Sequence, residues 1–344
     1  MSDLPLIGVT MGDPAGVGPE ILIKALAERA IYDFCRPLIL GHPEVLLDAM
    51  NRASHKMSFN MVASPSDVMA IPGTLDIMSI CELEAKALQP GRPTVDGGRA
   101  MVEYIIRAVE MTKNGVLGAM VTCPINKALM QRAGYHYEGH TQLISHLTDT
   151  PNYVMMLAGK SLRVSLVTIH CALKEVPRIL DMGMVLKTIT ITAEALRTDF
   201  GFEQPRLVVA ALNPHAGEAG LFGTEEEEII RPAISKARDK GYHVVGPLAP
   251  DTLFHKAVSG QFDAVVAMYH DQGLIPLKLL HFSDGVNVTL GLPIVRTSVD
   301  HGTAYDIAGT GQADASSLKA AIRMAATMVR NRKSRVEENH LHDD

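Results

Sequence analysis

Short apolar, β-branched runs alternate with stretches of helical periodicity along most of the chain, a pattern that predicts a largely parallel sheet with helices on its faces. Leu6 to Thr10 reads as the first strand. A Gly/Pro turn follows, then a helix from about Pro19 to Ala30, with Pro19 suited to a first helical position. A strand at Pro37 to Leu40 and a helix at Pro43 to Asn51 come next. Ser64 to Gly97, rich in Ser, Pro and Gly, reads as less regular, and a strongly helical segment, Gly98 to Lys113, then feeds a strand at Ala119 to Cys123. The middle predicts strands at Tyr153 to Leu157, Arg163 to Ile169 and Arg206 to Leu212, with helices at Met184 to Thr198 and Glu225 to Lys240. Ala264 to Tyr269 is a near-continuous apolar run of the kind buried on both faces of a parallel sheet. Strands at Val286 to Leu290 and Ile294 to Ser298 and a helix at Ser316 to Arg330 complete the reading, and the charged stretch from Arg332 to Asp344 reads as a frayed tail.

Composition narrows the class. At 344 residues, 47% hydrophobic and 20% charged, the chain has material for a sizeable core and about two domains. Its net charge of -6 comes from 32 basic and 38 acidic side chains, and Glu225 to Glu228 is the single long one-sign block, so nothing suggests a nucleic-acid footprint. Cys35, Cys81, Cys123 and Cys171 form no C-x-x-C pair, which argues against a disulfide framework or zinc ribbon and fits a reducing compartment. MSDLPLIGVTMGDP lacks the positive n-region of a signal peptide, and no window approaches 18 consecutive apolar residues. The expectation is a cytoplasmic protein with no membrane span, whose partner is a small molecule.

Three histidines lie just beyond predicted strands: His170 after RVSLVTI, His215 in ALNPHAGE and His270 in AVVAMYHDQG. Ligands of open α/β sheets bind at that edge, where three neutral imidazoles can hold a divalent ion, although each is equally open to a structural role. Lys278, Asn287 and Arg296 fall in the polar, Gly- and Pro-flanked stretch after His270. Cations with a fixed amide among them suit a phosphate or carboxylate, and solvated surface charge is the alternative. EGHTQ puts His140 and Thr141 at the start of a predicted helix, where free backbone N–H groups favour an anion and Thr141 is also a possible N-cap. Asp251 in LAPDTLF can accept a proton or cap a turn. Gly12, Gly16 and Gly18 follow a strand and open a helix, but neither G-x-G-x-x-G nor G-x-x-x-x-G-K-[ST] occurs, which disfavours a Rossmann or P-loop site.

MGDPAGVGPE, TCPINK, GHTQ, LNPHAGE, PDTLF, MYHDQG and GVNVTLGLPIVRTSVDHGTAYDIAG, in this order, resemble the 4-hydroxythreonine-4-phosphate dehydrogenase (PdxA) family over residues 7 to about 328. That family is in turn similar to isocitrate and isopropylmalate dehydrogenases. The resemblance implies an α/β/α sandwich that is not a Rossmann fold, with two domains and a cleft. Residues 1–145 with 297–330 would form the first α/β domain. Residues 146–296 would form the second, with the metal and dimer-interface site, and 331–344 the tail. It further implies a homodimer with shared active sites, NAD bound along His301, Gly302, Thr303, Ala304 and Asp306, and one divalent ion per site (Zn, Co or Mg) on His170, His215 and His270. Substrate contacts fall on His140, Thr141, Lys278, Asn287 and Arg296, and the catalytic roles on Asp251, Lys278 and His140.

The reaction implied is oxidation of the C3 hydroxyl of a 4-phosphorylated four-carbon hydroxy acid, followed by loss of CO₂. LIPLKLLHF and TCPINK depart from the variants usual in the pyridoxal branch and are more similar to the D-threonate 4-phosphate dehydrogenase branch. The expected reaction is therefore 4-phospho-D-threonate to dihydroxyacetone phosphate, with 4-phospho-hydroxy-L-threonine as the alternative substrate. A phosphate acyltransferase or a non-catalytic binding protein are more remote readings, opposed by the histidine set and HGTAYDIAG.

Overall fold

The computed structural model describes residues 4–53 and 55–342; residues 343 and 344 of the expected tail lie outside them. The chain divides into two compact α/β units, one of residues 1–151 and 292–330, the other of 152–291 and 331–344. Elements are numbered in chain order across both units.

The first unit contains β1 (Leu6–Thr10), α1 (Gly18–Leu26), β2 (Arg36–Gly41), α2 (Pro43–Arg52), β3 (Ser58–Met61) and β4 (Thr74–Ser79). It continues with α3 (Val95–Lys113), β5 (Ala119–Thr122), α4 (Lys127–Arg132) and α5 (His140–Leu147), and closes with β12 (Val295–Val299) and the start of α11 (Ser316–His342). Its strands run in the order β3-β4-β2-β1-β5-β12, every pair parallel. β5 and β12 are buried at every position, as strands covered on both faces must be. The turn after β1 needs a glycine: Gly12 has φ 73, and a Cβ there would meet the Pro124 carbonyl oxygen at 2.4 Å.

The second unit contains β6 (Val154–Ala158), β7 (Arg163–Leu166), α6 (Val176–Ile179), α7 (Met182–Thr198) and β8 (Leu207–Ala210). After these come α8 (Arg231–Asp239), β9 (Val244–Leu248), α9 (Pro250–Val258), β10 (Ala264–Ala267), α10 (His270–Leu280) and β11 (Val286–Leu290). Its order is β11-β6-β7-β10-β8-β9. The β11–β6 and β6–β7 pairs are antiparallel, and β7, β10, β8 and β9 are mutually parallel. Leu157, Val164, Val208, Val265, Leu253 and Leu277 pack in its core. The β6–β7 hairpin is closed by a Ser161–His281–Asp284 chain: His281 Nδ1 donates to Asp284 at 3.1 Å, and its Nε2 accepts from the Ser161 hydroxyl at 2.8 Å. That nitrogen also receives the Ser161 backbone N–H at 3.2 Å, which makes the imidazole a clasp on the turn rather than a base waiting for a substrate.

The structure corrects the element reading in several places, adding β3 and β9 among others. The stretch 64–97 contains β4, and the polar connector after His270 is α10, a helix with Pro276 inside it. The chain past Arg332 continues as helix to His342, anchored where Arg332 Nε donates to Asp199 at 2.6 Å and the Asn331 amide to the Asp199 carbonyl at 2.7 Å. No helix among the described residues is long and apolar enough to cross a membrane, and all four cysteines are free.

Candidate active site

Three loops leave the C-terminal edge of three adjacent strands in the second unit: β7 leads to His170, β10 to His270 and β8 to His215. His170 and His270 face each other with ring centroids 6.0 Å apart and line one cavity of about 580 Å³. Metal–nitrogen bonds of about 2.0–2.1 Å put a ring centroid about 3.2 Å from its ion, so two imidazoles on one ion lie about 5.2 Å apart at the tetrahedral angle and at most about 6.4 Å apart when opposite each other. At 6.0 Å the pair is inside the outer bound and wider than tetrahedral, so the rings must close by about 1 Å to share a tetrahedral ion. His270 opens α10, and its Nδ1 donates to Asp271 Oδ1 at 2.7 Å, which leaves Nε2 with the lone pair a metal needs. His215 and Asp251 line a second cavity of about 780 Å³, and Tyr269 and Asp271 border both. Among the described residues of one chain, no group of three His, Cys, Asp or Glu is arranged to hold an ion.

His215 rides on an unusual turn. His215 to Ala219 all have positive φ, between 45 and 82, and four of the five are not glycine. Left-handed backbone costs such residues about 1–2 kcal/mol each, so the surroundings must hold it in place. Glu226, 1% exposed, lies beneath: its Oε1 accepts the Leu212 and Asn213 N–H groups at 2.8 Å each, and its Oε2 accepts the Asn213 side-chain amide at 3.0 Å. Lys278 is half-buried on α10 with its Nζ 6.0 Å from the Phe282 ring centroid, and Asn287 is on β11 opposite Leu157.

In the first unit Arg296, on β12, is 0% exposed and donates from Nη2 to Thr122 Oγ1 at 2.8 Å and from Nη1 to Thr141 Oγ1 at 3.5 Å. Burial pushes its guanidinium down to about 9. His140 Nε2 lies 3.4 Å from Ser298 Oγ, and that hydroxyl donates to the Thr122 carbonyl at 3.1 Å. Burial, then the cations Arg296 and Lys127, hold the His140 imidazole well below its ordinary range, so it is neutral at neutral pH. His140 and Thr141 begin α5, whose N-cap is Gly139 with no side-chain cap, so Thr141 is not the cap. Arg296, His140 and Thr141 therefore form one cluster at the start of a helix, the end whose backbone N–H groups favour an anion.

The loop after β12 packs on the turn after β1. Val17 N–H donates to the Thr303 carbonyl at 3.0 Å, and Tyr305 donates to Asp13 Oδ2 at 2.5 Å while accepting from the Asn126 amide at 2.9 Å. Burial raises the Asp13 pKa, opposed by the Tyr305 hydrogen bond and the Ala15 N–H. Ala304 has φ 41, whereas His301, Gly302 and Asp306 are exposed. Beyond them Glu20 accepts the Ala313 N–H at 3.0 Å, and Lys24 donates to the Gly311 and Ala313 carbonyls at 2.7 Å each. A cavity of about 360 Å³ opens beside Gly309 and Gly311, with Asp48, Arg52 and Pro90 on its walls. Thr122, Ser298, Asp13, Tyr305 and Glu226 went unnoticed in the sequence reading. Thr122 and Asp13 sit inside TCPINK and MGDPAGVGPE, where the motifs themselves were the signal.

Residues 33–325 match the model of the pyridoxal phosphate biosynthetic protein PdxA family. A 4-hydroxythreonine-4-phosphate dehydrogenase of Desulforapulum autotrophicum is 53% identical over 322 residues, 94% of this chain and 95% of that protein. Four relatives with that name are 49 to 54% identical. A protein of Symbiobacterium thermophilum, provisionally named D-threonate 4-phosphate dehydrogenase, is 43% identical over 95% of this chain and 97% of its own. The crystal structure of 4-hydroxythreonine-4-phosphate dehydrogenase from Klebsiella pneumoniae superposes with a TM-score of 0.89 at 40% identity, covering 95% of this chain and 99% of that one.

Proposed function

The chain belongs to the PdxA family of dehydrogenases, and from that premise we propose that it oxidises the C3 hydroxyl of a 4-phosphorylated four-carbon hydroxy acid with NAD, after which the β-keto acid loses CO₂. The observation that supports this best is the departure of the His170, His270 and His215 loops from one edge of three neighbouring parallel strands. His170, His270 and His215 would hold a divalent ion, zinc, cobalt or magnesium. The loop of His301, Gly302, Thr303, Ala304 and Asp306 would hold NAD. When bound, the ion supplies Lewis acidity toward the hydroxyl and the nicotinamide supplies a hydride acceptor.

The chain's own residues then have distinct tasks. Arg296, Thr141 and the start of α5 bind the phosphate, with the neutral His140 offering a hydrogen bond rather than a second charge. Lys278 and Asn287 bind the carboxylate end, and Lys278 stabilises the negative charge that develops as CO₂ departs. The Asp251 carboxylate takes the C3 hydroxyl proton.

A homodimer with shared sites is part of the reading. Among the described residues of one chain no group of three His, Cys, Asp or Glu is arranged to hold an ion, and the strongly exposed Leu279 (81%) and Phe282 (81%), at and just beyond the end of α10, suit a covered face. The free cysteines suit the cytoplasm.

The identities of the four relatives favour 4-phospho-hydroxy-L-threonine as substrate, whereas LIPLKLLHF and TCPINK favour 4-phospho-D-threonate. NADH absorbance on adding each acid to the zinc- or cobalt-loaded protein tests the proposal and decides between them. The threonate reaction would also yield dihydroxyacetone phosphate. No NADH from either acid would refute the proposal.

A further inference from the structure

We propose that Glu226 is the positioning residue for His215: its buried carboxylate fastens the left-handed turn that aims the imidazole at the ion. The inference rests on the reading of His215 as a metal ligand and adds to it a residue that never touches the ion.

The turn cannot hold itself. Four non-glycine residues at positive φ flank Gly217, and the bonds closing the segment, Phe222 N–H to the Gly217 carbonyl at 3.1 Å and Leu221 N–H to the Glu218 carbonyl at 3.2 Å, fix its far end. Its near end, Leu212 and Asn213, is fixed by Glu226 through three donors on one carboxylate. A Cβ on Gly217 would come within 2.7 Å of Glu226 Oε2, so the carboxylate also packs directly under the turn. Glu226 opens a π-helical segment, Glu226–Ile230, and is the buried member of an acidic run in which Glu227 and Glu228 face solvent. Three inward donors require an acceptor on both oxygens. A glutamine has only one acceptor atom, so its NH₂ must face either the two backbone N–H groups or the Asn213 amide.

The test uses full-length, metal-free protein titrated with Co²⁺, reading affinity and the visible ligand-field spectrum, for the wild type, His215→Ala, Glu226→Gln, the double variant and the exposed control Glu227→Gln. Loss of supporting contacts around a ligand costs about 10–100-fold in metal affinity, so Glu226→Gln is expected to weaken Co²⁺ binding by at least tenfold. Glu227→Gln should match the wild type. The double variant should bind no more weakly than His215→Ala alone, because a positioning residue has nothing left to position; a general loss of structure would add to the defect. Asn213→Ala removes one of the three donors, together with that amide's bond to Glu225 Oε2 at 2.7 Å, and should weaken binding by about three- to tenfold, which keeps the proposal testable if Glu226→Gln does not fold; Glu225→Gln, which leaves the Glu226 contacts in place, should then match the wild type. Weakened binding in His215→Ala with wild-type binding in Glu226→Gln, or in Asn213→Ala where it must stand in, would overturn the positioning role alone. Wild-type binding in His215→Ala would overturn the ligand reading and this inference with it.

Discussion

Replacing Arg296 by methionine should leave the ligand-free protein as stable as before or more so, while removing its hold on phosphate. The guanidinium is fully buried, and moving it from its ordinary 12.5 to about 9 corresponds to about 5 kcal/mol of desolvation. That cost is carried by the empty protein and offset when an anion arrives. Methionine fills much of the same volume without the charge, so urea unfolding without ligand should show an unchanged or higher midpoint. Charge-assisted hydrogen bonds contribute about 1.5–3 kcal/mol, so kcat/KM for the phosphorylated acid should fall about 10- to 150-fold. Arg296→Lys keeps a charge but loses the fork that reaches Thr122 and Thr141, and should fall between the two. Saturating substrate or inorganic phosphate should raise the unfolding midpoint of the wild type and not that of Arg296→Met. A ligand-free Arg296→Met destabilised by more than about 2 kcal/mol, or unchanged in its preference for phosphorylated over unphosphorylated acid, would show the buried charge to be scaffolding and refute the anion-site argument.

His140 has a pKa in the folded state well below the 6.5 it takes when unfolded, so as pH falls through about 6.5 the unfolded chain binds a proton the folded chain refuses, and stability drops by up to about 1.4 kcal/mol per pH unit. His140→Gln should flatten that acid-side slope in urea melts, and an unchanged slope would assign it to another group. Tyr305→Phe leaves the buried Asp13 carboxylate one donor short, which should cost about 1–3 kcal/mol in stability and raise the KM for NAD more than it lowers kcat. Wild-type stability and KM would show that the Tyr305 bond fastens nothing. Dialysis against a chelator should abolish NADH formation while leaving NAD binding, followed by titration calorimetry, intact, with activity restored by zinc or cobalt. Full turnover in the chelated protein would exclude a metal role for the histidines.

Much of the sheet was legible because its strands are buried on both faces: β8 and β10 read as unbroken apolar runs and β5 as one broken only at Thr122, and the His215 and His270 loops follow directly from where β8 and β10 stop. The missed elements each have a polar or breaking residue whose partner is distant. β4 hid because Asp76, 2% exposed, interrupts its pattern; the carboxylate accepts the Met69 and Ala70 N–H groups and the Asn60 amide. β9 contains Gly246-Pro247, which reads locally as a turn. α10 hid behind Pro276, which removes one internal hydrogen bond, yet the helix continues because Gly273, Leu274 and Leu277 are buried around it.

The same logic separates the legible from the hidden parts of the candidate site. Ligand-type side chains announce themselves, because histidine after a strand is informative wherever the partner lies. Supporting side chains do not, since a glutamate among four glutamates carries no mark of burial until the turn geometry selects one of them. β7, β10 and β8 are adjacent in the sheet but not consecutive in the chain, so His170, His270 and His215 share an edge only through topology. The distance between reading a motif and explaining its site is therefore the distance between the imidazoles and the groups that hold them: Asp271 for His270, and the turn fastened near Leu212 and Asn213 for His215.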